Sequence, residues 1–241
     1  MAIKQGSFGR IRIFEDFLGN YVTADPTTTF SSIGQLACIS VDAAGGSVTS
    51  TVDEPGGVVC INTHSTDDDN AAVFAGVFKP ADGGVVMEAR CKLASATTGA
   101  LFIGFSETLA VTTPVMPAEF ATATLAINGS GAVIGMLFDP DATTDIWKAV
   151  AGDGGVAADN APTNASTSLV ADTWDVVRVE VGADGDGYVY LNGKLIRSFP
   201  NFMTTTDILH AVVMAENRGS AAIALEMDYF YAEGGRDWND D

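Results

Sequence analysis

Trp174-Asp175-Val176-Val177-Arg178-Val179-Glu180-Val181, followed after five residues by Gly187-Tyr188-Val189-Tyr190-Leu191-Asn192-Gly193-Lys194, decides the fold class. In the first run Val177, Val179 and Val181 share one face, and Arg178 and Glu180 share the other. That period of two belongs to a strand with one dry and one wet side. Between and after the runs, Asp184-Gly185-Asp186-Gly187 and Asn192-Gly193 supply residues that accept the positive φ of tight turns. Val176 to Phe199 therefore predicts a three-stranded antiparallel meander.

The same signal repeats outward from this stretch. In Val85–Leu93 the odd positions are apolar, and Glu88, Arg90 and Lys92 alternate with them. Ile223–Tyr231 predicts a strand with Ile223, Leu225, Met227, Tyr229 and Tyr231 inward and Glu226 and Asp228 outward. Further strands are expected at Arg10–Phe14, Leu36–Val41, Val58–Thr63, Val73–Phe78, Leu101–Ser106, Ala121–Ile127, Val133–Phe138, Ile146–Val150, Tyr188–Leu191, Leu195–Phe199 and Ile208–Met214. Asp82-Gly83-Gly84 and Asp153-Gly154-Gly155 read as turns between them. Many short strands, dense turns and few helix-forming runs indicate an all-β sandwich of two antiparallel sheets. Sandwiches reach 241 residues undivided, so one domain over 21–241 is expected. Residues 1–20, richer in Arg and Phe, read either as an N-terminal arm that packs elsewhere or as an edge strand of the same sandwich.

Twelve Lys and Arg stand against 31 Asp and Glu, a formal charge of −19. Such a chain repels phosphate backbones, so nucleic acid is not an expected partner. The longest apolar run, Ala71 to Phe78, is far short of a membrane-spanning helix, and the start lacks the apolar segment of a signal peptide. Cys38, Cys60 and Cys91 sit inside strand-like runs without a CxxC pair, and read as buried free thiols made in a reducing compartment. Charged residues make up only 18% of the chain. Either neighbouring subunits cover apolar surface, or the sandwich is built from small Ala and Gly side chains.

Signs of bond-making chemistry are sparse. His64 and His210 are the only histidines, and Gly104-Phe105-Ser106-Glu107-Thr108 fails the last position of a nucleophile elbow. Gly193-Lys194 is followed by Leu195, so it is no phosphate loop. Asp184-Gly185-Asp186-Gly187 and Asp139-Pro140-Asp141 present closely spaced oxygens, with calcium as the one candidate ion. Neither continues into a full calcium loop, and hairpin turns are the simpler reading. No catalytic residue, cofactor or metal site is assigned, and the chain is not expected to be an enzyme. Glu226-x-Asp228 would suit glycosidic cleavage if a third acid stood at position 230, which is Phe. Trp147 and Trp238 are the candidate platforms for a sugar ring. Trp174 opens a strand and is expected in the core.

The runs 174–181 and 187–194, with the closing Leu225-Glu226-Met227-Asp228-Tyr229-Phe230-Tyr231-Ala232, resemble the concanavalin A-like lectin/glucanase superfamily, including laminin-G-like modules. That resemblance implies a jelly-roll sandwich. It also implies a lectin-like carbohydrate-binding module or a glycoside hydrolase as functions to weigh, although the glucanases' Glu-x-Asp-x-Glu strand is missing. In style the chain also resembles structural proteins of tailed bacteriophages: an acidic, Ala/Gly/Thr-rich chain with unpaired cysteines and a short arm at Gly9–Phe17. This second resemblance implies a virion protein made in the host cytoplasm, a capsid decoration (cement) subunit at the capsid surface. Its partners would be the major capsid protein and copies of itself, trimers being common among such subunits. Phe8, Ile11, Ile13, Phe14 and Phe17 are then the expected interface residues.

Overall fold

The alternation resolves into two antiparallel sheets laid face to face, in a computed structural model that describes residues 9–18, 31–40, 46–51, 56–109, 114–158 and 163–236. In chain order the strands are β1 (Arg10–Glu15), β2 (Ser31–Ile33), β3 (Leu36–Ser40), β4 (Ser47–Ser50), β5 (Val59–Asn62), β6 (Asn70–Phe78), β7 (Val85–Leu93), β8 (Gly99–Ser106), β9 (Ala118–Ala121), β10 (Thr124–Ile127), β11 (Val133–Phe138), β12 (Lys148–Asp153), β13 (Val156–Ala157), β14 (Thr163–Asn164), β15 (Asp175–Val181), β16 (Gly187–Leu191), β17 (Lys194–Phe199), β18 (Leu209–Asn217) and β19 (Ala224–Gly235). One sheet has eight strands in the order β17-β16-β15-β7-β19-β5-β4, with β1 also paired to β19. The other has nine, in the order β13-β12-β11-β8-β18-β6-β3-β2, with β14 paired to β12. The expected meander is β15-β16-β17, and Asn192 and Gly193 turn its second hairpin with φ of 50° and 78°. No helix among the described residues is long and apolar enough to cross a membrane.

The main core lies between the sheets. Val177, Val179, Val189, Met87, Ala89 and Phe230 from one sheet meet Leu101, Ile103, Phe105, Ile134, Met136 and Val213 from the other. Cys38 and Cys91 are buried here as free thiols, and burial pushes the Cys38 thiol up to about 12. Cys60 is only half-buried.

A second apolar layer was not foreseen. Ala121–Ile127, expected as one strand, is instead the second half of a hairpin, β9–β10. Thr122 adopts φ 59° between the two strands and reverses the chain. The hairpin lies on the outer face of the nine-stranded sheet, where Met116, Ala118, Phe120 and Ile127 pack on Phe102, Val133, Leu137, Val150, Val212 and Met214. This explains why β8 and β11 are buried at every position. Gly135 permits the close fit, since a Cβ there would stand 2.8 Å from the Phe102 ring.

Of the first twenty residues, Arg10–Glu15 form an edge strand of the eight-stranded sheet, in register with Phe230–Gly235. Ile11 and Ile13 point inward against the core, and Phe17 is 3% exposed within it. Those three side chains are spent on the chain's own interior and are withdrawn from the expected interface. Phe14 points outward and is 52% exposed, while Phe8 lies outside the described residues.

Candidate docking face

Several residues expected to carry chemistry are structural. Trp147 is 1% exposed, its ring edge-on to Phe138 with centroids 5.9 Å apart. Its indole N–H donates to Asp175 Oδ2 at 3.1 Å, so it is a tie between the sheets and not a sugar platform. Trp238 lies outside the described residues. Asp184 Oδ1 accepts the Asp186 N–H and Asp186 Oδ1 accepts the Asn201 N–H, which makes this pair a turn staple. His64 Nδ1 sits 2.9 Å from Asp69 Oδ2, and His210 Nδ1 sits 2.9 Å from the Gly76 carbonyl oxygen.

Two acidic clusters had no signature in the sequence, because each gathers residues from distant segments. At one end of the nine-stranded sheet the Arg218 guanidinium, 5% exposed, lies 2.9 Å from Glu216 Oε1, 2.7 Å from Asp68, 3.2 Å from Glu119 and Asp139, and 3.8 Å from Asp141. Burial pushes the Glu216 carboxyl up to about 7, although Arg218 and the Asn70 amide pull the other way. Burial works against the Arg218 charge, yet Glu216 and Asp139 more than offset it and hold its pKa above the usual value. The cluster clamps the roof hairpin, through Glu119, to β18 and to the 139–141 turn. At the opposite end Glu107, Asp153 and Asp207 bring carboxylate oxygens within 4.8 Å of one another, each half-buried. Burial, then the charges of Glu107 and Asp153, raise the Asp207 pKa. These are oxygens of the kind that calcium takes.

The outer face of the eight-stranded sheet is the feature that sets one surface apart. A β-bulge between Met227 and Tyr229 reverses the expected facing of the last strand. Phe230 and Ala232 go into the core, while Tyr229 and Tyr231, expected inward, come out. They join Tyr188 and Tyr190, so every described tyrosine lies on this face. Trp174, expected in the core, is half-buried at the same face, with the Arg90 guanidinium 4.7 Å and the Lys92 ammonium 5.0 Å from its ring centroid.

The charges here are paired with one another, mostly across strands. Arg90 meets Asp228 at 2.5 Å, Lys92 meets Glu226 at 2.8 Å, and Arg178 lies 2.6 Å from Glu180 and 3.6 Å from Glu88. Tyr229 donates to Glu88 at 2.7 Å, and burial followed by that bond raises its pKa. Arg10 and Arg12 both pair with Glu233. Glu226 and Asp228, weighed above as an acid pair, are thus each held by their own cation. Five cations (Arg10, Arg12, Arg90, Lys92, Arg178) balance five acids (Glu88, Glu180, Glu226, Asp228, Glu233), so these pairs add nothing to the formal charge of −19, while Asp184 and Asp186 lie beside Tyr188 at one edge.

No protein-family model and no curated protein matches this chain. Among solved structures it is similar to the Bacillus licheniformis β-glucanase at 14% identity and a TM-score of 0.58, covering 93% of this chain and 98% of that one. It is similar to the carbohydrate recognition domain of Emp47p at 12% identity and TM-score 0.55, over 96% of this chain and all of that one (100%). A Shewanella oneidensis protein of unknown function aligns at 14% identity and TM-score 0.55, covering 94% and 87%. At such identity the likeness speaks for the fold: the chain has the concanavalin A-like jelly-roll sandwich.

Proposed function

We propose that this chain is a non-catalytic structural subunit that acts by docking, with the outer face of its eight-stranded sheet as the docking surface. The observation that carries this reading is the concentration of Tyr, Trp and Arg on one face of a strongly acidic molecule, among ion pairs that balance one another. Those residue types dominate the energetic centres of protein interfaces. The ion pairs are already formed within the chain, so covering them strands no lone charge. Absence of catalysis is supported by Glu226 and Asp228 being ion-paired apart, and by the apolar roof over the nine-stranded sheet. In its narrower form the reading is the capsid decoration subunit expected from the sequence, with a capsid shell as partner. Its support is the acidic composition and a face suited to docking against protein. Such a subunit stabilises the assembled shell because it binds that state alone.

A second reading, a carbohydrate-binding module, draws on the fold shared with a carbohydrate recognition domain and on the half-exposed Trp174 ring. One experiment separates the two. The purified chain is offered to capsid shells assembled from the major capsid protein of the same genome, to a glycan array, and to mixed-linkage β-glucan. Docking gives co-sedimentation with shells at a fixed ratio, no glycan retention and no released reducing ends. Saturable glycan binding that Trp174→Ala abolishes would overturn it in favour of the second reading, and glucan cleavage would overturn both.

A further inference from the structure

We infer that the occupant of the outer face of the eight-stranded sheet is a second copy of this chain, packed face to face about a two-fold axis that runs along the strands between β7 and β15. The inference rests on the docking reading above and names the occupant of this face; a shell is then met by other surfaces of the pair.

The argument begins with one row of residues. Strand register places Leu195, Tyr190, Arg178, Glu88, Tyr231 and Phe14 side by side across β17, β16, β15, β7, β19 and β1. All six point outward, with Phe14 52% and Leu195 47% exposed at the two edges. Read from either edge the row runs apolar, tyrosine, charge, charge, tyrosine, apolar, with an acid on one side of its midpoint and a base on the other. A half-turn about an axis through that midpoint, parallel to the strands, exchanges β7 with β15. It sets Glu88 of each copy over Arg178 of the other, Tyr231 over Tyr190 and Phe14 over Leu195. The row is therefore complementary to itself, which is the requirement of a closed two-fold interface.

Charge and size agree with this pairing. Two copies that each carry −19 repel through most of their surface, and the balanced ion pairs at the centre of this face add nothing to that repulsion. Six strands about 4.8 Å apart and about seven residues long cover roughly 650 Å² per copy in plan. Counted on both copies, that reaches the lower end of the roughly 1,200–2,000 Å² typical of stable interfaces. Sheets packed in this way lie near-aligned, with strand directions within about 30°.

The test is sedimentation equilibrium of the intact chain at roughly 100 μM, a concentration that populates any dimer of micromolar affinity or tighter. Wild type is expected at twice the 25.0 kDa chain mass. Glu88→Arg gives a row with two bases and Arg178→Glu a row with two acids. Each variant alone should be monomeric, with dimerisation weakened about tenfold or more. Mixing the two variants should restore a dimer, because each base then faces an acid of the other copy. A damaged fold does not yield that rescue, and circular dichroism of each variant guards the comparison. Wild type that stays monomeric, variants that dimerise as wild type does, or a mixture that stays monomeric would overturn the second-copy proposal. The docking reading then stands or falls on co-sedimentation with shells, which is measured independently.

Discussion

Met227 and Phe230 both lie in the core with no exposed surface, three positions apart on one strand. Strict alternation would send them to opposite faces. The bulge between Met227 and Tyr229 adds the residue that brings them back to the same side. The docking face depends on this, because the same shift brings Tyr229 and Tyr231 outward.

Deleting Asp228 should therefore be tolerated. The shortened strand would alternate cleanly, Met227 in, Tyr229 out, Phe230 in, Tyr231 out. The expected loss is about 1 kcal/mol, the scale of the Arg90 cross-strand pair that disappears with it. Inserting one alanine after Phe230 should instead send Tyr231 into the core, and abolish cooperative unfolding. Urea denaturation of both variants checks this.

Arg218 compensates a buried acidic cluster. Arg218→Met should cost about 3–5 kcal/mol, because Glu216 and Asp139 are left buried without their cation. The Glu216 carboxyl has its folded-state pKa raised from 4.5 to about 7, so the folded state binds the proton more tightly than the unfolded chain does. Its contribution to stability is complete below pH 4.5, and is lost as pH rises from there through 7. That slope amounts to roughly 3 kcal/mol, and Glu216→Gln should flatten it. Stability measured from pH 4 to 8 on both proteins reads the difference.

Trp147→Phe keeps the ring and removes the N–H that Asp175 accepts. Asp175 retains the Asn192 amide on its other oxygen at 2.7 Å. The expected loss is about 1–3 kcal/mol, the cost of a buried polar atom left unpaired, read from the midpoint of guanidinium unfolding.

Glu107, Asp153 and Asp207 converge on one another, and repulsion among them weakens the fold. Asp207→Asn should raise the melting temperature at pH 7 in chelator-treated buffer, and the gain should shrink near pH 4, where carboxylates protonate. Differential scanning calorimetry at the two pH values tests the sign.

The sequence carried the sheets well wherever one face is wet. Val85–Leu93 holds its expected limits, and the β15-β16-β17 meander follows from its turns. It carried poorly what depends on a second layer or on one extra residue. Ala121–Ile127 looked like a single strand because its turn, at Thr122 and Ala123, carries neither glycine nor proline. The bulge at Asp228 left no local mark, so the tyrosines were placed on the wrong side. Trp147 and Trp174 exchanged their expected surroundings for a related reason. Each sits at the start of a strand, where alternation has too few residues to fix a facing. The clusters around Arg218 and Asp207 join segments far apart in the chain, and only tertiary pairing reveals them.

Hydroxyl-radical footprinting of the tyrosines tests the docking account most directly, comparing the dilute free chain with the chain in its native assembly. The account expects Tyr188, Tyr190, Tyr229 and Tyr231 to be labelled in the free chain and protected together in the assembly. Equal labelling in the two states, or protection confined to the end that carries Glu107, Asp153 and Asp207, would contradict it.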